Sequence, residues 1–208
     1  MATMLAIGGC GDSTDDARQA TAPSVTTGST DTSAPVSTTV AQNAPLEGDL
    51  PAGTATYELT LPQPGSERLT MTATLPGGWT GVDGWVLRKN GGVDNREGVA
   101  ITFWGPPHYV YGDACQWADS AIEAEPTVDF MADALAAQAM RDASTPRELT
   151  VGQHRVIELQ LSVPDDLNMA TCDIFEGTRY FQSWASADGS TARYHQGPGQ
   201  RDLVRLVD

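Results

Sequence analysis

Aromatic and imidazole side chains gather in two parts of the chain, and these are the residues best suited to contact a small molecule. The set comprises Trp104, His108, Tyr109 and Tyr111 in the first part and Trp184, Tyr194 and His195 in the second. Rings with hydrogen-bonding tips line many ligand pockets, although they more commonly fill cores, and they also form partner-binding patches. The pattern therefore predicts a candidate ligand pocket, with core packing and a partner surface as alternatives.

Motifs for catalysis are absent from the sequence. It contains no Gly-x-Ser-x-Gly, no His-Glu-x-x-His, no phosphate-binding glycine loop and no EF-hand. Ser183, His195 and Asp173 are conceivable members of a hydrolase triad, but their spacing does not require one. The other histidines, His108 and His154, are far from His195 in sequence, which favours surface positions over a zinc site. We therefore expect no cofactor, no metal and a binding function in preference to catalysis.

The first ten residues resemble a clipped bacterial signal peptide. Ile7-Gly8-Gly9-Cys10 matches the lipobox, in which an aliphatic and two small residues precede the cysteine that carries lipid. The charged and apolar regions that usually precede it are missing, which suggests a truncated start. A bilayer span needs about 20 apolar residues, so lipid on Cys10 is the expected membrane anchor. The alternative is a free cysteine in a tail.

Residues 11–53 are rich in Ser, Thr, Ala, Asp and Pro and have no apolar periodicity. Such a segment buries too little apolar surface to offset the conformational entropy lost on ordering. We therefore predict a disordered linker between the lipobox and a domain at 54–208. The order of lipobox, tether and domain is typical of a lipoprotein on the outer face of the cytoplasmic membrane.

The formal charge of −15 excludes one class of partner. Strong negative charge repels phosphate backbones, so nucleic-acid binding is not expected. It also disfavours direct electrostatic binding to anionic lipid. Solubility is the simplest role for this charge, and the expected partners are the membrane through Cys10 and an unknown small molecule or envelope protein.

Alternation of apolar and polar residues begins at Thr54 and predicts strands. The segments 54–61 and 68–75 each place apolar residues on one face and threonines on the other, with a turn signal between them. They are typical of an antiparallel pair with one face in water. Further strands are predicted at 84–88, 99–104, 148–151, 155–163, 179–185 and 203–207, with a tight turn at Gly152-Gln153.

Helical spacing is visible in one segment. Pro126 suits a first helical position, and Met131, Leu135 and Ala139 recur on one face. The stretch 116–124 is a candidate for a shorter helix. We therefore predict an α+β fold in which one long and one shorter helix pack on a twisted antiparallel sheet, preceded by a disordered tail.

Two cysteines remain once Cys10 is assigned to the lipobox. In an oxidising compartment Cys115 and Cys172 are most simply a disulfide, with two buried thiols as the alternative. The loop closed would contribute about 4 kcal/mol on the chain-entropy model.

Several segments together resemble a group of actinobacterial exported proteins and lipoproteins. They are Leu75–Trp79, Gly98–Trp104, Val110–Cys115, Ala170–Asp173 and Arg193–Gln200. The succession of strand, helix and hairpin is also similar to the PsbP-like α/β fold. The resemblance brings no established activity and transfers no catalytic residue. The tether, the anchor, the disulfide and the lack of catalytic motifs favour a binding or accessory module of the envelope, with a structural partner in an envelope complex or a hydrolase as alternatives. The resemblance also implies that a C-terminal strand and helix are missing, leaving an unpaired sheet edge.

Overall fold

The fold was analysed in a computed structural model that describes residues 3–9 (backbone only), 43–62, 68–90, 98–195 and 197–208. Half of the described residues are in strands and about a tenth are helical. The first nine strands are β1 Thr3–Gly9, β2 Ala44–Pro45, β3 Gly48–Leu50, β4 Gly53–Leu59, β5 Leu69–Leu75, β6 Trp79–Val82, β7 Val86–Lys89, β8 Val99–Trp104 and β9 Tyr109–Tyr111. The remainder are β10 Ala121–Glu123, β11 Asp142–Ala143, β12 Arg147–Val151, β13 His154–Ser162, β14 Ile174–Phe175, β15 Thr178–Arg179, β16 Phe181–Ala185, β17 Ala192–His195 and β18 Arg201–Val207. The helix α1 spans Val128–Ala136, and 3-10 turns lie at Trp117–Asp119 and Met169–Thr171.

Nine strands form the central sheet, in the order β11-β13-β18-β1-β8-β7-β6-β3, with β12 pairing β13 as well. A four-stranded sheet has the order β10-β9-β16-β17, a three-stranded sheet has β2-β4-β5, and β14 and β15 form a hairpin. Nearly all pairs are antiparallel; β2 with β4 is parallel.

The central sheet is covered on both faces. Successive side chains of a strand point to opposite faces, and in β8 Trp104 joins one core cluster while Phe103 joins another. The first cluster lies between the central sheet, α1 and the four-stranded sheet, and the second lies against the three-stranded sheet. A third, smaller cluster surrounds Cys115 and Cys172.

The predicted antiparallel pair is confirmed. Strands β4 and β5 pair from Gly53 opposite Leu75 to Leu59 opposite Leu69. Their exposed face carries facing threonines whose hydroxyls lie 2.7 and 2.9 Å apart. The predicted turn at Gly152-Gln153 also connects two strands, β12 and β13, and Gly152 has a φ of 62° that suits glycine.

The predicted α+β class is wrong, since the structure is mostly β with one helix in the described ranges. The long helix is cut to nine residues. Its N-terminus follows the capping residue Thr127, whose hydroxyl accepts from the Phe130 amide. It ends early because the backbone N–H of Ala139 donates to the Gly112 carbonyl at 2.8 Å, which commits the chain to sheet-like bonding.

The predicted shorter helix at 116–124 is also wrong. A single 3-10 turn is followed by β10, whose Ala121–Glu123 pairs with Tyr109–Tyr111 of β9. The carboxylate of Asp113 accepts from the amides of Cys115 and Gln116 at 2.8 and 2.9 Å. This local turn and the long-range pairing outweigh helix propensity, which is a weak preference.

Two regions assigned to the tail and linker contain strands. Strand β1 lies within residues 1–10 and occupies the middle of the central sheet, between β8 and β18. Strands β2 and β3 lie within 11–53, and Leu46 between them is fully buried. Gly81 permits this packing because a Cβ there would meet the Leu46 backbone at 2.6 Å. Cys10 and residues 11–42 lie outside the described residues.

Candidate functional site

The seven aromatic and imidazole residues of the predicted pocket lie in different environments, some buried and some exposed. Trp104 and Trp184 are almost fully buried in the core, with ring centroids 5.7 Å apart and edge to face. Trp85 packs on Trp104 at 4.9 Å from the other side. These two tryptophans therefore pack as core residues, the alternative that the sequence left open.

The loop after β8 places its rings elsewhere. His108 is exposed and lies edge-on to Tyr109, with ring centroids 4.4 Å apart. Tyr111 is buried against Trp117, and burial together with the neighbouring Tyr109 raises the pKa of its hydroxyl. No ligand contact is needed to explain the positions of these three residues.

An exposed apolar surface surrounds the β14–β15 hairpin, and we call Ile174, Phe175, Tyr180 and Tyr194 the hairpin patch. The rings of Tyr180 and Tyr194 lie 4.6 Å apart. Ile174, Phe175 and Tyr194 are 52%, 43% and 45% exposed. Tyr180 and Tyr194 are in direct ring contact, and exposed apolar side chains that lie near one another are a candidate interaction surface.

The hairpin patch is held by the disulfide. Cys115 and Cys172 are bonded, as predicted, with Cα atoms 4.5 Å apart, and both are buried. The Arg179 guanidinium donates to the Cys172 carbonyl, and the Tyr180 carbonyl accepts from the Trp117 indole N–H at 3.2 Å. The hairpin is thus fixed at its base, so its apolar side chains are presented from a rigid support.

His195 belongs to a different feature, a buried charge cluster formed by Arg141, Arg193, His195 and Asp202. Asp202 of β18 is fully buried, and its two carboxylate oxygens accept from the Nε and Nη2 of Arg193, the Nε bond being 2.9 Å. The Nε2 of His195 lies 3.1 Å from the same carboxylate. Arg193 and His195 are in β17, so the cluster joins the four-stranded sheet to the central sheet.

Electrostatics fix the protonation of this cluster. Burial lowers the pKa of His195 to about 4, outweighing the attraction of Asp202, so the imidazole is neutral at pH 7. Burial alone would raise the pKa of Asp202, but Arg193 and His195 outweigh it and hold the pKa well below its ordinary value. Arg193 is charged, because Asp202 more than offsets the effect of burial on its pKa.

Arg141 completes the cluster from the segment after α1. Its Nη2 donates to Ser183 Oγ at 2.7 Å, and its guanidinium carbon lies 4.6 Å from the centre of the Phe181 ring. Ser183 stands at a bulge of β16, where the pairing with β17 shifts register. Gln138 supports the same strand, because its amide donates to the carbonyls of Tyr111 and Ser183 at 2.9 and 2.8 Å.

The residues suggested for a hydrolase triad are not assembled as one. Asp173 accepts from the Ala118 amide at 2.8 Å, while His195 contacts Asp202. The hydroxyl of Ser183 is engaged by Arg141. The histidine is oriented by a carboxylate, and among the described residues its ring nitrogens contact Asp202 and Arg193 and no nucleophile.

Asp202, Arg193 and Arg141 were missed by the sequence analysis. Asp202 had a detectable signal, since it alternates with Val204 and Leu206 on the apolar face of its strand. An acid at such a position needs a buried partner. Nothing in the local sequence indicates that Arg141 is 9% exposed.

Within the described ranges, no helix has the length and apolarity needed to cross a bilayer. The same residues contain no group of three or more histidine, cysteine or acidic side chains placed to hold a metal ion. Comparisons of the chain with protein-family models, with curated proteins and with solved structures gave no match.

Proposed function

We propose that the chain is a lipid-anchored, extracytoplasmic binding module of the cell envelope that presents the hairpin patch to a protein partner. The observation that carries the proposal is the exposure of Ile174 and Phe175 on a hairpin held by a disulfide, together with the exposed Tyr194 of β17. A rigid apolar surface loses little conformational entropy on binding, which favours association.

The chemistry of the patch favours a protein over the other candidate partners. Aromatic residues are enriched at protein interfaces, and the same hairpin carries the polar residues Glu176 and Arg179. The formal charge of −15 works against nucleic acid and against anionic lipid headgroups. These observations favour a protein partner with an apolar centre over nucleic acid and anionic lipid.

The proposed extracytoplasmic location is inferred from the sequence around Cys10 and from the disulfide. A bonded Cys115–Cys172 pair suits an oxidising compartment, and the lipobox supplies the attachment point on the outer face of the cytoplasmic membrane. The resemblance to actinobacterial exported lipoproteins supports the same hypothesis.

Processing at Cys10 has a structural consequence. Cleavage before Cys10 would remove β1, which pairs with β18 along Thr3–Gly9 and with β8 along Met4–Gly9. The anchored form would then have two facing strand edges inside its central sheet, and unpaired edges readily accept another strand. Insertion of β1 and cleavage are therefore mutually exclusive states of the same chain.

A crosslinking experiment tests the binding surface. A photo-activated amino acid at Phe175 in the full chain, expressed in cells that export it, should yield a discrete crosslinked species of higher mass. The matched control is the same probe at Val151, a 54% exposed side chain next to a different hairpin turn. Ile174→Ser should suppress the species formed from position 175.

Two outcomes would contradict the proposal. Equal crosslinking from positions 175 and 151 would show that exposure alone explains the reaction. The absence of a crosslink from position 175 would show that the hairpin patch does not bind a partner. The anchor is tested separately by the intact mass of the protein extracted from membranes. An unmodified chain that begins at Met1 would contradict lipidation.

A further inference from the structure

Arg141 is a buried cation with unused hydrogen-bond donors. A guanidinium carries five N–H donors, and Nη2 uses one of them for Ser183 Oγ at 2.7 Å. The Nε and Nη1 atoms are buried and have no hydrogen-bond partner among the described residues. Buried donors without acceptors are rare in folded proteins, so a missing acceptor is indicated.

The charges of the cluster are also unbalanced. Arg141 and Arg193 are both cations, whereas Asp202 is the single anion and His195 is neutral at pH 7. Both carboxylate oxygens of Asp202 are already engaged by Arg193. Burial lowers the pKa of Arg141 to about 10, which still leaves it charged at pH 7. One positive charge therefore lacks a counterion in direct contact.

We propose that Arg141 binds a small, planar, monovalent oxyanion of the carboxylate class. Whichever N–H of Nη2 is donated to Ser183, one edge of the guanidinium keeps a complete pair of parallel donors. A carboxylate accepts such a pair in a bidentate arrangement. The charge of the anion follows from the single unbalanced positive charge.

The position of the Arg141 guanidinium is fixed by the Phe181 ring and by the bulge in β16. The Phe181 ring supports one face at 4.6 Å, and the β16 bulge places Ser183 against Nη2. A buried water would satisfy an N–H donor but would leave the excess charge in place. The experiment must therefore separate an anion from water.

Formate is a suitable probe because it is the smallest carboxylate. Thermal unfolding of the full chain at pH 7 should show a saturable rise in Tm as formate replaces chloride at constant ionic strength. At about ten times the Kd, a rise of roughly 3–5 °C is expected for a domain of this size. The Arg141→Met variant, which keeps an unbranched side chain beside Phe181, should lose the rise.

The exposed Arg88 provides the matched control. The Arg88→Met variant should retain the full formate response, because its side chain is at the surface. Saturation-transfer NMR of formate with the unaltered chain gives a direct measure of binding, so the proposal stays testable even if Arg141→Met does not fold. Acetate should compete with formate in that measurement.

Three results would overturn the inference. If formate raises the Tm of Arg141→Met as much as that of the unaltered chain, formate does not bind at Arg141. An absence of both a Tm rise and an NMR response in the unaltered chain would indicate water in place of an anion. A chloride titration that matches formate would exclude selection for a planar oxyanion.

Discussion

The Nε2 of His195 lies 3.1 Å from the Oδ2 of Asp202, and this contact connects two sheets across a buried interface. The imidazole is neutral at pH 7 because burial lowers its pKa to about 4. Its Nε2–H is then the donor to the carboxylate, and its buried Nδ1 has no partner among the described residues. Protonation of this ring is therefore disfavoured in the folded state.

The first prediction concerns acid stability. The unfolded chain binds a proton at His195 near pH 6.5, whereas the folded chain does so near pH 4, so stability is lost as pH falls through this window. The loss is on the order of 3 kcal/mol, at 1.36 kcal/mol per unit of pKa shift. Urea unfolding of the His195→Gln and unaltered chains between pH 4 and 7 measures it.

The exposed His108 supplies the control for this prediction, since His108→Gln should leave the pH profile unchanged. An unaltered chain whose free energy of unfolding is flat between pH 4 and 6.5 would contradict a neutral, buried His195. Below pH 4 a further loss is expected as Asp202, whose pKa is held well below its ordinary value, takes up a proton.

Removal of the Asp202 charge is predicted to be strongly destabilising. Asp202→Asn leaves the buried Arg141 and the partly buried Arg193 without a carboxylate, and breaking a buried ion pair on one side costs about 3–5 kcal/mol. The free energy of unfolding in urea should fall by this amount. Asp133→Asn on the exposed face of α1 is the matched control and should be nearly neutral.

A compensating variant distinguishes charge from packing in this result. Asp202→Asn combined with Arg193→Met removes one uncompensated cation, so it should recover part of the lost stability. A double variant that is as unstable as the sum of its two single variants would show that packing at Asp202, and not charge, sets the effect.

Local patterns predicted the strands, and long-range contacts decided the rest. The alternation in 54–61 and 68–75 is a property of neighbouring residues, and the observed β4 and β5 follow it closely. The helix predicted to reach Ala139 ended early because Ala139 bonds to Gly112, a residue distant in sequence. The spacing of apolar residues cannot predict that hydrogen bond.

The same distinction applies to the candidate site. The disulfide between Cys115 and Cys172 was predictable by counting cysteines. The burial of each aromatic side chain was not predictable, because burial of Trp184 and exposure of Tyr194 depend on which face of the sheet is covered. The site of Arg141 depends on a β-bulge and on a distant strand, neither of which has a local signature.

The disulfide is predicted to stabilise the domain and the hairpin patch together. Cys115→Ser with Cys172→Ser should lower the free energy of unfolding by about 4 kcal/mol, since the closed loop of 57 residues no longer restricts the unfolded chain. Calorimetry of both chains measures the difference. Cys10→Ser should have no effect on Tm, and a loss equal to that of the double variant would contradict the assignment of the bonded pair.

The last prediction concerns β1 and the processing of the chain. Deletion of residues 1–9 should lower the free energy of unfolding by several kcal/mol, because β1 pairs with both β18 and β8 and each lost hydrogen bond contributes about 1 kcal/mol. Urea unfolding of the two chains measures the loss. A synthetic peptide with the sequence of residues 3–9 should restore part of it when added in excess, because it can occupy the same place in the sheet.

Deletion of nine residues at 24–32, within the predicted linker, is the matched control and should leave stability unchanged. If removal of residues 1–9 has no effect, the central sheet does not depend on β1, and cleavage before Cys10 then leaves the domain intact on its lipid anchor.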